Sequence, residues 1–322
     1  MNIAHIGLAS FFTEGMTYQD NYLTHFNALD GNAVLYVSNA AKYENGAVVS
    51  TGCEDKRLPD GVRLVRMPYV PVLNGFVTNK LRKVSGLYAL LEDFAPDVIL
   101  CHGLAFWSVR DVIRYKKAHP AVKLYADTHA DYYTSGTNWL SLHILHRVFY
   151  RRLVGLALPY LEKYFYTTVE TRRFSVENYG VPESLTEFYP LGGVLPTKEA
   201  YQTHRAARRA ELGLRPDELL LIHAGKLEPQ KKTDSLLRSF AAVPELKARL
   251  AVIGSIPEET KAALTALMDA DPRVTYLGWK SGADLQEYLC AADLYCQPGK
   301  VSAIMQNAVC CRCPVMLYPH PD

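Results

Sequence analysis

Along the chain, short continuous apolar runs alternate with longer stretches in which apolar side chains recur every third or fourth position. The runs predict buried strands at 2–7, 33–38, 62–67, 97–101, 122–127, 164–169, 185–190, 218–224, 248–254, 273–278, 294–297 and 314–318. The amphipathic stretches predict helices at 17–29, 80–94, 105–118, 138–163, 203–212, 232–242, 257–269, 282–291 and 303–311. Strands that are apolar throughout are covered on both faces. Their alternation with helices implies an α/β fold of Rossmann-like, parallel-sheet units.

The pattern breaks once, at "GGVLPTKEAYQTHR" (192–205), where two glycines and a proline precede a polar stretch. The break suggests an N-terminal domain over 1–195, a linker and first helix over 196–215, and a C-terminal domain over 216–322. The second domain stops at "LYPHPD", just past a strand, so it is expected to be incomplete, as after C-terminal truncation.

Composition narrows the function. With 322 residues, 49% of them hydrophobic, two cores can be filled. The formal charge of +2 is spread over both halves, so no domain carries the basic excess of a nucleic-acid binder. Seven unevenly spaced cysteines do not form a secreted disulfide framework and fit a reducing cytoplasm. The start "MNIAHIGLAS" lacks a basic segment followed by a long apolar core, and no run is long enough to span a bilayer. Cys310 and Cys313 form a C-x-x-C, but no second pair of zinc-like spacing exists, and small buried residues are the expected role. No metal site is expected.

One charged turn stands out. In "LIHAGKLEPQKKTDSLLRSF" (221–240), Lys226, Lys231 and Lys232 lie where a strand hands over to a helix. A single such lysine reads as a solvated turn. Together with free N–H groups at a helix start, the set reads as an anion site. Open parallel sheets bind ligands beyond the C-terminal ends of their strands, and this turn lies on that edge. So do "DTHAD", with Asp127 and His129, and "CHG", with His102.

The segments "HAGKLEPQKKTDSLLRSF", "LAVIGS", "VTYLGWKSGADLQEYLCAADLYCQP" and "NAVCCRCPVML" resemble the donor domain of glycosyltransferase family 4. "MNIAHIGLASFFTEGMTYQDNYL", "PDVILCHG" and "LYADTHAD" agree more loosely with its first domain. The resemblance implies the GT-B fold, two facing Rossmann-like domains, the second here incomplete. It also implies a nucleotide diphosphate sugar as donor substrate, no cofactor and no metal. The acceptor would be a saccharide or a lipid-linked saccharide, the outcome retaining, and the setting surface polysaccharide assembly. In the family's turn an Arg and a Lys hold the donor diphosphate; Lys226 stands at the Arg position, Lys231 at the Lys, and Lys232 replaces a Gly.

The chain departs from the family in one respect. Two carboxylates that usually touch the donor sugar and ribose are replaced by Gly299 and Asn307, and Pro298 lies closer to Asn307 than in the family, the loop being shorter. Gly225, Lys226, Lys231, Trp279, Gly299, Ser302, Gln306 and Asn307 are the expected donor-side residues, with Ser302 as N-cap of the following helix and Trp279 beside the nucleobase or packing its loop. His129 is the expected catalytic residue, and His102, Asp127, Gln19 and Asn21 the expected acceptor-side ones. A His flanked by carboxylates can hold a raised pKa and accept or share a proton. The missing carboxylates keep open a catalytically silent nucleotide-sugar-binding partner subunit. A sugar-nucleotide epimerase also remains.

Residues 138–166 combine bulky apolar groups with His146, Arg147, Arg151, Arg152 and Lys163. With 69–88 they suit a membrane surface as partner, peripheral to the inner face, although a core helix with a basic edge has the same pattern.

Overall fold

The computed structural model describes residues 1–16, 18–44, 47–133, 135–300 and 302–318. The chain divides into two compact units, residues 1–14 with 20–191, and residues 15–19 with 192–322.

The first unit is built on an eight-stranded sheet. In chain order its elements are β1 (Asn2–Gly7), α1 (Gln19–Leu29), β2 (Ala33–Asn39), β3 (Ala41–Glu44), β4 (Ala47–Ser50), β5 (Glu54–Arg57), β6 (Arg63–Met67), α2 (Gly75–Leu81), α3 (Leu87–Phe94), β7 (Val98–His102), α4 (Val109–Ala118) and β8 (Lys123–Thr128). A π-helical stretch over Ser141–Tyr150, α5 (Arg151–Ala157), β9 (Lys163–Tyr166), α6 (Val169–Phe174) and β10 (Thr186–Phe188) complete it. The order is β10-β9-β8-β7-β1-β2-β6-β5, parallel except for the β5–β6 pair; β3 and β4 form a separate hairpin.

The second unit contains α7 (Lys198–Glu211), β11 (Leu219–Lys226), α8 (Thr233–Ala241), β12 (Ala248–Ser255), α9 (Glu258–Asp269), β13 (Val274–Gly278), α10 (Gly282–Ala291), β14 (Leu294–Gln297), α11 (Ile304–Cys310) and β15 (Val315–Leu317). Its sheet is wholly parallel, in the order β13-β12-β11-β14-β15.

The apolar runs are continuous because both faces of each sheet are covered. In β11 and β12, Leu220, Ile222, Ala224, Ala251 and Ile253 pack on one face with Tyr288 and Tyr295, while Leu250 and Val252 pack on the other with Leu237 and Phe240. Each buried Leu, Ile, Val or Phe among them contributes roughly 1.5–3 kcal/mol. Cys290, Cys311 and Cys313 lie in the first of these clusters, the role expected of small residues.

All twelve expected strands form, with ends shifted by one to a few residues. Strands β3, β4 and β5 were not expected, because each is only four residues long, β3 and β5 are largely polar, and the Ala47–Val49 run of β4 is short and mostly exposed. The expected helix at 80–94 is two helices: Asn74 caps α2 by accepting from Val77 N at 3.0 Å, and Arg82, at φ 52°, ends it. The expected helix at 138–163 changes character twice, from π to α to a 3-10 turn entered at Pro159. The strand at 164–169 stops early because Thr168 and Thr171 form a reciprocal capping box that starts α6.

Each sheet has one point where the chain reverses its direction of winding. In the first unit, β2 and β6 build outward on one side of β1, and β7 to β10 on the other. In the second, β12 and β13 lie on one side of β11, and β14 and β15 on the other. Loops leaving the two central strands part there and open a crevice at the strands' C-terminal ends.

Candidate functional site

In the second unit the lysine turn and the glycine turn meet at this crevice. The turn after β11 runs through Pro229–Lys231, and the turn after β14 follows Gln297. Lys231 Nζ donates to the Lys300 carbonyl at 2.7 Å, and Lys300 N donates to the Gln230 carbonyl at 2.9 Å. Gln297 Nε2 donates to the same Lys300 carbonyl at 2.8 Å, and the Tyr295 hydroxyl fixes Gln297 through its Oε1 at 2.5 Å. Gly299 is required by this closeness. A Cβ there would stand 2.2 Å from the Gln230 carbonyl oxygen and 2.7 Å from the Lys231 carbonyl carbon.

The strand ends are pinned beneath the turns. His223 on β11 lies fully buried, its Nδ1 2.8 Å from the Cys296 carbonyl and its Nε2 2.9 Å from the Thr233 hydroxyl. Burial keeps this imidazole neutral by lowering its pKa. Nδ1 therefore donates to the carbonyl and Nε2 accepts from Thr233, which ties the end of β14 to the first residue of α8.

Lys231 is only 7% exposed. Burial, then the neighbouring charge of Lys300, lowers its pKa, and Glu228 partly opposes this. A buried cation opposed by its surroundings is costly to fold and ready for an anion. Lys226 ends β11, half-buried, and Gly225 precedes it against Ile304. Gln306 and Asn307 lie in the first turn of α11, Asn307 buried and Gln306 half-buried, while Trp279 is exposed after β13.

Two local expectations change. Ser302 does not cap α11 through its side chain: the N-cap is Ala303, already helical, without a side-chain cap bond, and Met305 N donates to the Ser302 carbonyl at 3.1 Å. The Ser302 hydroxyl lies 3.5 Å from Gln297 Oε1 instead. Lys231, moreover, sits on a 3-10 turn ahead of α8, separated from it by Lys232 at φ 53°.

In the first unit the crevice lies between β1 and β7. Register places Asp127 beside His102 on neighbouring strands, with His5 and Tyr36 paired on the next two. His102 Nδ1 lies 2.7 Å from Asp127 Oδ2, and its Nε2 lies 3.0 Å from His5 Nδ1. Asp20 on α1 is 3.4 Å from His102 and accepts from the Tyr36 hydroxyl at 2.6 Å. The Asn27 carboxamide is 3.0 Å from His5 Nε2.

Burial opposes a charge on His102, but Asp20 and Asp127 outweigh it and raise the pKa to about 9. His5 goes the other way, lowered to about 3 by burial and by the charge on His102. At neutral pH, His102 is thus an imidazolium donating to Asp127 and to His5. The His that gains a carboxylate partner is His102, whereas His129 is exposed in the loop after β8. Asn21 spends its amide on the Thr13 carbonyl at 2.9 Å. The Gln19 carboxamide, at the start of α1, is buried without a hydrogen-bond partner among the described residues.

A cavity of about 290 Å³ opens over His102, lined also by His129, Asp20, Thr128, Lys80 and Arg82. Sequence reasoning missed Lys80, Arg82, Asp20, Gln297 and Tyr295. Only Gln297 carried a signal, as the residue ending a strand just before a glycine turn.

Comparison with known proteins bears on the fold. Residues 218–321 match the family Glycosyl transferases group 1. Nearly the whole chain, 98% of it, superposes on 80% of Anabaena Alr3699/HepE in complex with UDP, with TM-score 0.64 and 15% identity. The fold is GT-B. The same fold extends to the UDP-GlcNAc 2-epimerase of Methanocaldococcus jannaschii, with TM-score 0.56 and 11% identity over 98% of this chain and 83% of that one. Among curated proteins, D-inositol 3-phosphate glycosyltransferase of Mycobacterium sp. (strain KMS) is 33% identical over 119 residues, 35% of this chain. That match spans 27% of the relative's length. Among the described residues no helix is long and apolar enough to cross a membrane, and no group of three or more His, Cys, Asp or Glu could hold a metal ion.

Proposed function

We propose that the chain is a glycosyltransferase that takes a sugar from a nucleotide diphosphate sugar, in the manner of family 4. The observation that carries this is the clasp of two turns at the second unit's crevice, with buried Lys231 at its centre, inside the segment that matches the group 1 family. Breaking the bond between sugar and diphosphate builds negative charge on the leaving phosphate. A fixed ammonium beside it stabilises the transition state more than the ground state. Lys231 and Lys226 are the groups assigned to that charge, and Asn307 and Gln306 to hydroxyls of ribose or sugar. His129, with His102 and Asp127 behind it, is assigned to the acceptor side. The chemistry asks for positive charge at the phosphate, which the lysines supply without a metal.

The acceptor proposed is a saccharide, free or lipid-linked, in surface polysaccharide assembly, with a hexose-type donor and a retaining outcome. Attachment to a membrane surface is supported by exposed Trp139, Leu140 and Ile144 on the π-helical segment's approach and body, followed by Arg147, Arg151 and Arg152. Lys163 and the 69–88 segment, with exposed Leu73 and Phe76, extend the same composition.

The test is a panel of nucleotide sugars with and without acceptor saccharides. Acceptor-dependent release of nucleoside diphosphate is expected, with the anomer of the product reporting retention. Binding without release would favour the non-catalytic partner subunit, a reading that the absent carboxylates support. Donor converted to an epimer without acceptor would mean an epimerase, which shares the fold.

A further inference from the structure

We propose that the first unit's cavity is an anion subsite, in which Lys80 and Arg82 hold a phosphate group carried by the acceptor. Lys80 and Arg82 both line it, from α2 and its αL end. Arg82 spends Nη1 on the Ala105 carbonyl at 2.9 Å and lies over the Tyr150 ring, and Lys80 lies over Phe76. Neither meets a carboxylate among the described residues. Elsewhere in the same unit Lys56, Arg63 and Arg66 each sit on one.

Among the described residues the carboxylate lining the cavity is that of Asp20, already engaged by Tyr36 and His102. The charge of His102 is in turn matched by Asp127. Among the described lining residues, Lys80 and Arg82 bring the permanent positive charges that no carboxylate offsets. Together they suit the tetrahedral oxygens of a phosphate better than a neutral sugar. The volume, about 290 Å³, lies at the small end of ligand sites and fits one compact headgroup. The cavity is also in the expected place for a ligand, at the β1/β7 reversal.

Calling the ligand an acceptor rests on the glycosyltransferase reading; the anion subsite does not. The phosphate could belong to a soluble sugar phosphate or to a lipid-linked acceptor, and two probes separate these sources. Inorganic phosphate binding to the full chain, followed by phosphorus NMR, comes first. Lys80→Gln and Arg82→Gln are each expected to weaken it roughly ten- to hundredfold. Arg82→Lys should restore part of the loss, and in Lys231→Met, where phosphate at the second unit's turn is lost, the Lys80-dependent binding should persist. Circular dichroism checks that each variant is folded, and the Lys80 variant alone decides if Arg82→Gln is not.

Loss confined to Lys231→Met, or equal binding by all variants, overturns the subsite. Glucose 1-phosphate in solution and vesicles carrying a polyprenyl diphosphate are then compared for binding that depends on Lys80. Dependence with either names the source, and dependence with neither overturns the assignment to an acceptor. If phosphate binding depends on Lys80 but no nucleotide sugar is turned over, the glycosyltransferase reading fails and the subsite stands.

Discussion

Lys231→Met separates a lysine that holds the fold together from one that waits for a ligand. In the folded chain the ammonium is buried and donates to the Lys300 carbonyl at 2.7 Å. Losing a charged hydrogen bond costs about 1.5–3 kcal/mol. Two features offset that loss. The carbonyl keeps a second donor in Gln297 Nε2 at 2.8 Å, so it is not orphaned, and the variant no longer buries a charge whose pKa is lowered by burial and by Lys300. A lowered lysine pKa penalises the folded state most below the folded pKa, and the penalty fades as pH rises from there to the ordinary 10.5. Methionine removes this penalty. The expected net change in stability is within about 1 kcal/mol.

Ligand protection should change far more. A nucleoside diphosphate at about 100 times its Kd adds about 2.7 kcal/mol to wild-type stability. Removing one ammonium–phosphate contact weakens binding roughly ten- to hundredfold, which leaves about 0.4–1.4 kcal/mol at the same concentration. Urea unfolding with and without UDP, ADP or GDP measures both quantities. A ligand-free loss above about 3 kcal/mol would show that Lys231 is a structural clasp, and undiminished protection would remove it from the phosphate site.

Three further outcomes are expected. Gly299→Ala puts a Cβ against backbone atoms at 2.2 and 2.7 Å, so the two turns must part; a loss of about 1–3 kcal/mol in urea unfolding is expected, together with weaker nucleotide protection. Stability should peak near pH 6.5: His102, raised to about 9, contributes fully below 6.5 and loses its contribution as pH rises through 9, while His5, lowered to about 3, destabilises the fold as pH falls from 6.5. His102→Asn should flatten the alkaline limb, and an unchanged limb would contradict the charged state assigned to it. Arg66, fully buried between Glu14 and Glu54, should cost about 3 kcal/mol when replaced by Ala, read from the same unfolding curves.

Fold was legible because burial on both faces turns each parallel strand into an apolar run that survives without context. The β3–β4 hairpin and β5 were not, since these four-residue strands carry no buried apolar run and only pairing makes them strands. On the candidate site, local sequence gave the lysine turn and the glycine turn but not their contact, because Lys231 and Lys300 are 69 residues apart and meet only through the β11–β14 pairing. His102 shows the same limit. "DTHAD" drew attention to the carboxylates beside His129, yet β8 ends at Thr128, which leaves His129 in the exposed loop while Asp127, still on the strand, meets the neighbouring strand's His102. Lys80 and Arg82 carry no motif at all. They reach the cavity because α2 ends early, at an arginine in the left-handed conformation.

The absent carboxylate at 299 and the closeness of the two turns are one feature. Lys300 N and the Gln230 carbonyl can bond at 2.9 Å only if the preceding residue passes against the Gln230–Lys231 backbone, where no Cβ fits. A glutamate at 299 would force the turns apart and release Lys231 from the Lys300 carbonyl. The chain has a backbone clasp where the family pattern has an acidic side chain. At 307 the replacement is electrostatic: the position is buried, and an amide there can bond hydroxyls without a second buried charge. The crevice keeps Lys226, Lys231 and Lys300 with Glu228 as the carboxylate among these turn residues, so its positive charge is less offset than the family pattern would make it. On the function proposed above, such a site would grip a diphosphate more strongly than it discriminates a sugar. Donor preference in this chain should therefore follow the nucleotide more than the hexose attached to it.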